Sequence, residues 1–261
     1  MSGKSRLSSL SILSLCALIG LITFGAYQYM LAKPQGSEDE FGERVRAYLL
    51  SNPQVLREVI AELTKQEEMA ATVERTGLIA SLATDLKDDG HSYVAGNPDG
   101  DVTIVEFFDY RCGYCKQSFP ELMKTVEEDG NIRLVLKEFP ILGADSFLAS
   151  QAAIASLEQD KYLAFHTALM ESRGGMTIER IRSIAADVGL DVERLEADMK
   201  KDEVREIVEK NYVLAKKLGI SGTPAFVIGE EFIPGVISGE QMQALIAAVR
   251  ESSALAAENE S

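Results

Sequence analysis

Apolar residues first crowd into one run, Leu7 to Ala32, diluted by Ser, Thr, Gly, Tyr and Gln28 but by no charge. At about 25 residues it has the length of a membrane-spanning helix, whereas the apolar core of a cleaved leader runs to about 7–15 residues. A polar linker, 33–40, follows. From Phe41 to Lys87 the pattern turns helical, with Val45, Tyr48 and Leu49, then Val55, Leu56, Val59, Ile60 and Leu63, recurring at three- and four-residue steps. Ser51-Asn52-Pro53 breaks this run and restarts it, with Ser51 or Asn52 as N-cap and Pro53 at the first helical position. The second stretch continues through Met69, Val73, Ile79, Leu82 and Leu86. Its apolar stripe has to be covered, by the chain's own domain or by the same helices of other copies, and self-association through 41–87 is the expectation. With Gly42 and Gly77 as its only glycines the segment could also serve as a stiff spacer.

Beyond Gly90 the period changes. Tyr93-Val94 reads as a short edge strand and Asn97-Pro-Asp-Gly100 as a turn. A strand over Val102–Phe108, a helix over 113–129 and a strand over Ile132–Phe139 follow, with Pro120 predicting a kink in the helix. A long helical stretch from about Asp145 to Leu218 is broken at Gly174-Gly175 and at Gly189. Ala225–Ile228 and Glu231–Ile233, separated by Gly229-Glu230, read as a hairpin, and a last helix runs from Gly239 to about Ser252. The order is mixed α/β with a helical insertion at about 144–218, and it divides the chain at 1–36, 37–88 and 89–261.

Charge decides the orientation and excludes one class of partner. The formal net charge is −15, and Lys4, Arg6 and Lys33 are the only charges before Glu38, so the remainder is more acidic still. Such a surface repels phosphate backbones, and no nucleic-acid partner is expected. Lys4 and Arg6 precede the apolar run and acids follow it, which puts the N-terminus in the cytoplasm and the rest outside, where disulfides form and persist. Phe24-Gly-Ala26 leaves cleavage open, in which case the exported part is free rather than anchored through 7–32.

The chemistry sits at Cys112-Gly113-Tyr114-Cys115, between the strand and the helix. Two thiols three residues apart at such a turn form a dithiol that cycles to a Cys112–Cys115 disulfide, so the chain needs no other cofactor. A helix N-terminus stabilises a thiolate, which makes Cys112, with Arg111 beside it, the attacking sulfur. Cys115, one turn deeper, resolves the mixed disulfide. No metal site is expected, because His91 and His166 lie far from the pair in sequence and read as surface or core residues. Glu106 interrupts an apolar strand six residues before Cys112, which places a carboxylate to take the Cys115 proton, with Lys137 as its charge partner. Phe107, Phe108, Phe119 and Phe139 read as core, and Tyr114 as exposed. Thr223-Pro224 precedes the hairpin, and on general frequencies its bond reads as an ordinary trans turn.

Glu106-Phe-Phe-Asp-Tyr-Arg-Cys-Gly-Tyr-Cys115, the helical insertion and Gly222-Thr-Pro-Ala-Phe226 resemble the DsbA-like thiol–disulfide oxidoreductases of the thioredoxin superfamily, over about residues 90–250. That resemblance implies a thioredoxin fold with a helical insertion and a cis Pro224 facing the cysteines. It also implies substrate pairing at Thr223, disulfide-containing exported proteins as substrates, a membrane redox partner and a periplasmic setting at the bacterial inner membrane. Arg44-Val-Arg-Ala-Tyr-Leu-Leu-Ser-Asn-Pro-Gln-Val-Leu56 resembles the N-terminal region of the suppressor-of-copper-sensitivity C proteins, some of which trimerise and act as isomerases. Gly-Tyr between the cysteines, in place of the Pro-His of strongly oxidising relatives, and Thr223 before the proline favour an isomerase or reductase. Two other readings stand beside it: a copper(I)-binding protein using the same two soft sulfurs, and a membrane-proximal scaffold built on 41–87.

Overall fold

The computed structural model describes residues 21–29 and 36–259, and the chain divides into two units, Met1–Glu68 and Met69–Ser261. In the first, residues 21–29 are helical (α1), α2 spans Gly36–Ser51, and α3 opens at Pro53 on its way to Ser81. Asn52 makes the break. Its side-chain amide and its backbone N–H both donate to the Tyr48 carbonyl at 2.9 Å, closing α2 where Pro53, which has no N–H to give, starts the next helix. Tyr48, Leu56, Val59, Ile60 and Leu63 are all exposed. Among the described residues no helix is long and apolar enough to cross a membrane. Most of the span expected over 7–32, namely 7–20 and 30–32, lies outside the described residues.

The second unit is built on a five-stranded sheet in the order β1-β3-β2-β4-β5. Its strands are β1 (Tyr93–Gly96), β2 (Val102–Phe108), β3 (Ile132–Glu138), β4 (Ala225–Ile228) and β5 (Glu231–Pro234). β2 and β3 are parallel, joined by the crossover helix α5 (Gly113–Asp129), and the other pairs are antiparallel. Glycine is required at the β4–β5 turn, where Gly229 has φ +64° and a Cβ would meet Val249 at 2.7 Å.

Both faces of the central strands are covered, which is why β2 reads as a nearly continuous apolar run. One face carries Ile104, Phe108, Leu134, Leu136 and Phe226 into a core shared with α5 and the helical insertion. The other carries Val105, Phe107, Val135, Ala225 and Val227 against Ile79 of α3, Leu86 of α4 (Ala83–Lys87), Leu214 of α10 (Asp202–Lys217) and Leu218, the residue that caps it. The end of the 41–87 stripe is therefore spent on this sheet, and its exposed part ends near Val73.

The insertion holds more pieces than its glycines announce: α6 (Ala144–Ala155), a 3-10 turn (Ser156–Gln159), α7 (Tyr162–Glu171), α8 (Ile178–Asp187), α9 (Val192–Asp198) and α10. Thr177 and Asp191 cap α8 and α9 by accepting from Arg180 N–H and Arg194 N–H. The break before α7 falls at Asp160, a non-glycine with φ +53°. α5 runs unbroken through Pro120, β3 ends one residue before Phe139, and α11 (Gly239–Asn259) outruns the expected Ser252. The result is a thioredoxin-type α/β fold with a helical insertion.

Because Ile79 is 1% exposed, Ile79→Ala is expected to leave a cavity between α3 and the sheet and to cost about 2–5 kcal/mol. Urea unfolding of the full chain measures it; an unchanged midpoint would mean that α3 does not pack there in solution.

Candidate active site

Cys112 caps the N-terminus of α5. Its Sγ accepts the Cys115 backbone N–H at 3.1 Å and, as a thiol, donates to the Thr223 carbonyl at 3.2 Å. The Thr223–Pro224 bond is cis, as the family resemblance implied and general frequencies did not. Thr223 thus borders the sulfur, and Tyr114, at 67% exposure, stands beside it in solvent. Cys112 itself is only 5% exposed and Cys115 is fully buried. Both are free thiols, so the structure describes the reduced state.

The two sulfurs differ sharply in proton affinity. The Cys115 thiol donating to it holds Cys112 down at about 6; burial opposes this, and Thr223 and the N–H groups of Cys115 and Tyr114 add to it. Cys115 is pushed far up, first by burial, then by its own donation to Cys112, then by the charge of Glu106. Arg111, next to Cys112 in sequence, is turned away: its guanidinium donates to the Leu142 carbonyl at 2.7 Å.

Glu106 is wholly buried in β2, on the sheet face that carries α5, and neither of its oxygens has a partner. Burial, then the charges of Cys112 and Glu138, push it up to about 8. The pairing expected with Lys137 does not form. Glu106 lies beside Leu136 in the β2–β3 register and Lys137 beside Phe107, so the two side chains leave opposite faces of the sheet. Lys137 instead donates to the Asp89 carboxylate and, at 2.7 Å, to the Asp85 carbonyl.

Behind Glu106 lies a buried polar cluster that no motif announces. Glu138 Oε1 accepts from Tyr110 at 2.9 Å and from Tyr162 at 2.7 Å, and the Tyr110 hydroxyl lies 2.9 Å from His166 Nδ1. His166 is buried and, by burial first and Lys116 second, held down near 3, so it is neutral. Glu138 carried a weaker signal than Glu106, since its strand also holds Arg133 and Lys137. Asp109, also buried, accepts the backbone N–H groups of Arg111 and Leu142 at 2.7 and 2.9 Å, which fixes the loop before Cys112. Lys116, the residue after Cys115, donates to the carbonyls of Leu169, Met170 and Ser172 at the end of α7, at 2.7, 3.1 and 2.9 Å.

Comparison with known proteins agrees with this geometry. Residues 103–247 match the DSBA-like thioredoxin domain, and residues 38–70 match the Copper resistance protein ScsC N-terminal domain. A thioredoxin-like oxidoreductase from Silicibacter pomeroyi is 43% identical with a TM-score of 0.63, over 64% of this chain and 97% of that one. A linker-deletion mutant of Proteus mirabilis ScsC is 29% identical with a TM-score of 0.65, over 85% of this chain and 98% of that one. A probable disulfide bond formation protein D from Bacillus anthracis is 28% identical over 171 residues, 58% of this chain and 79% of its own length.

In the reduced protein, thiolate absorbance at 240 nm is expected to appear with a midpoint of about 6 and to vanish in Cys112→Ser. In Cys115→Ala the midpoint should rise, because the donor behind the largest cause of the shift is gone. The folded thiol titrates below the unfolded one, so the reduced form gains stability as pH rises from about 6, completely above the ordinary thiol range near 8.5. Glu106 and Glu138, both pushed up to about 8, cost both redox forms stability over the same range, so the rise should appear in the difference between the melting curves of the reduced and the disulfide forms.

Proposed function

This chain belongs to the DSBA-like thioredoxin domain family and is a thiol–disulfide oxidoreductase of DsbA/ScsC type; within that class we propose an exported disulfide isomerase or reductase rather than a strong oxidase. The observation that carries the reading is the division of labour between the two sulfurs, one held as a thiolate beside Thr223 and the other held protonated beneath it.

The Cys112 thiolate attacks one sulfur of a substrate disulfide, whose S–S bond breaks and whose other sulfur leaves as a thiolate. The mixed disulfide lies against Thr223 and Pro224, where the Thr223 carbonyl is free to pair with an extended substrate backbone once Cys112 no longer donates to it. A second substrate thiolate then displaces Cys112, which reshuffles the substrate with no net electron transfer. Alternatively Glu106 first releases its own proton to solvent, Cys115 gives its proton to the resulting carboxylate and displaces the substrate, which leaves reduced while the pair becomes the Cys112–Cys115 disulfide. A membrane-bound reductase returns the two electrons. The bias toward isomerisation rests on Gly113-Tyr114: no histidine stands between the cysteines to stabilise the thiolate further, and Tyr114 points to solvent.

Lys4 and Arg6 before the N-terminal apolar run support export to the periplasm, with 7–32 as anchor or leader. Self-association through the exposed part of the 41–87 stripe is supported by Tyr48, Leu56, Val59, Ile60 and Leu63 and by the ScsC N-terminal match at 38–70.

The full chain, reduced, is expected to reactivate scrambled ribonuclease and to oxidise reduced ribonuclease only slowly, and Cys112→Ser should do neither. Fast oxidation without reshuffling would overturn the isomerase assignment. Stoichiometric copper(I) binding with no turnover on either substrate would instead favour the copper reading. Light scattering should give a mass above one protomer, falling to one in Ile60→Glu; a wild-type monomer would sink the oligomer.

A further inference from the structure

Glu106 and Glu138 project from neighbouring strands on the same face of the sheet. Glu138 lies beside Phe108 in the parallel register, two residues along from the Leu136 that faces Glu106. Strand spacing and rise put their Cα atoms roughly 8 Å apart. Both side chains are buried, and among the described residues the nearby cations are engaged elsewhere. Lys137 leaves the opposite face for Asp89, Lys116 is spent on three carbonyls, and His166 is neutral. Two carboxylates in one dry pocket resist being charged together, so their protons leave in two separated steps.

The hydrogen bonds decide which leaves first. Glu138 Oε1 accepts two phenol O–H groups. With the Tyr110 proton on Glu138, the Tyr110 oxygen accepts Nδ1–H of His166, so the chain of donors is complete. Donors aimed at a carboxylate favour its charged form. Glu106 receives none. The other groups facing Glu138 are Ser150 from α6, which favours its charge, and Asp109 from the loop after β2, which opposes it. Asn211 of α10 donates to its backbone carbonyl rather than its side chain, at 3.1 Å.

We propose that Glu138 is a positioning residue for the redox chemistry: fixed by Tyr110 and Tyr162, it takes the negative charge of the buried pair and keeps the proton on Glu106, so that Glu106 meets Cys115 as a proton donor. The assignment rests on the redox reading of Cys112 and Cys115 and deepens it. In the reductive half of the cycle a dithiol reductant attacks the sulfur of Cys112. The Cys112–Cys115 bond breaks, Cys115 leaves with the electron pair and takes the Glu106 proton, and solvent later reprotonates Glu106. A second thiolate of the reductant then displaces Cys112, leaving the pair reduced by two electrons and the reductant as a disulfide. Burial pushes Glu106 and Glu138 both up to about 8, and only Glu138 has hydrogen bonds, from Ser150, Tyr162 and Tyr110, that pull against burial.

The test is the rate at which dithiothreitol reduces the disulfide form of the full chain, divided by the reductant's thiolate fraction, as a function of pH. In the wild type this rate should fall as Glu106 deprotonates, and Glu106→Gln should lose that falling limb. Glu138→Gln keeps an acceptor for both tyrosines but removes the charge, and it should move the limb to lower pH by about one unit. Tyr162→Phe keeps the ring stacked on Tyr93 and His166 and removes one donor, and its limb should move the same way by less. The 240 nm titration of Cys112 should stay put in both variants. A limb left in place by both, with Cys112 still titrating, would overturn the role of Glu138 and leave the oxidoreductase reading intact. A wild type whose cysteines never form the disulfide would overturn both.

Discussion

The hydrogen bonds that Cys115 gives to the sulfur of Cys112, one from its backbone and one from its thiol, are the interactions on which the rest depends. They exist because Cys112 occupies the cap of α5, where backbone N–H groups have no intrahelical partner. One sulfur becomes an anion just under the protein surface and the other becomes the hydrogen-bond donor that stabilises it. The same contact that makes Cys112 reactive makes Cys115 inert until Cys112 has formed a bond elsewhere. Order of reaction is thus built into a single helical turn.

The second constraint is that the sheet beneath this turn has two dry faces and alternates strictly between them. Glu106 and Glu138 fall on the face that carries the cysteines, and Lys137 falls on the other. A fold that buries three charged residues within two adjacent strands pairs only the one whose face offers an anion. Lys137 finds Asp89 across the α3–α4 side. The two carboxylates find hydroxyls or nothing, and the proposed proton chemistry rests on that difference between them.

Periodicity made most of this architecture legible. The strand over 102–108 and the helix over 113–129 fall where the pattern put them, because an apolar run between turn residues has few other solutions. The break at Asn52-Pro53 was equally plain, since proline at a first helical position is local chemistry. Glu106 with Lys137 failed because opposite charges on neighbouring strands attract only if they share a face, and register is not local. Glu138 and its tyrosines were hidden for a related reason: Tyr110, Glu138, Tyr162 and His166 are scattered over some fifty residues and meet only through the insertion. The helix breaks near Asp160 and Met199 carry no glycine or proline, so the insertion looked longer-helixed than it is.

Lys116 has one more consequence. Its ammonium group is lodged among the last carbonyls of α7, where the helix dipole presents negative charge. The first turn of the redox helix and the end of α7, inside the insertion, are therefore riveted together through one side chain. A domain whose insert is fastened this way cannot exchange that insert like a cassette: any transplanted version has to bring the three oxygens with it, or it strands a cation directly behind the cysteines.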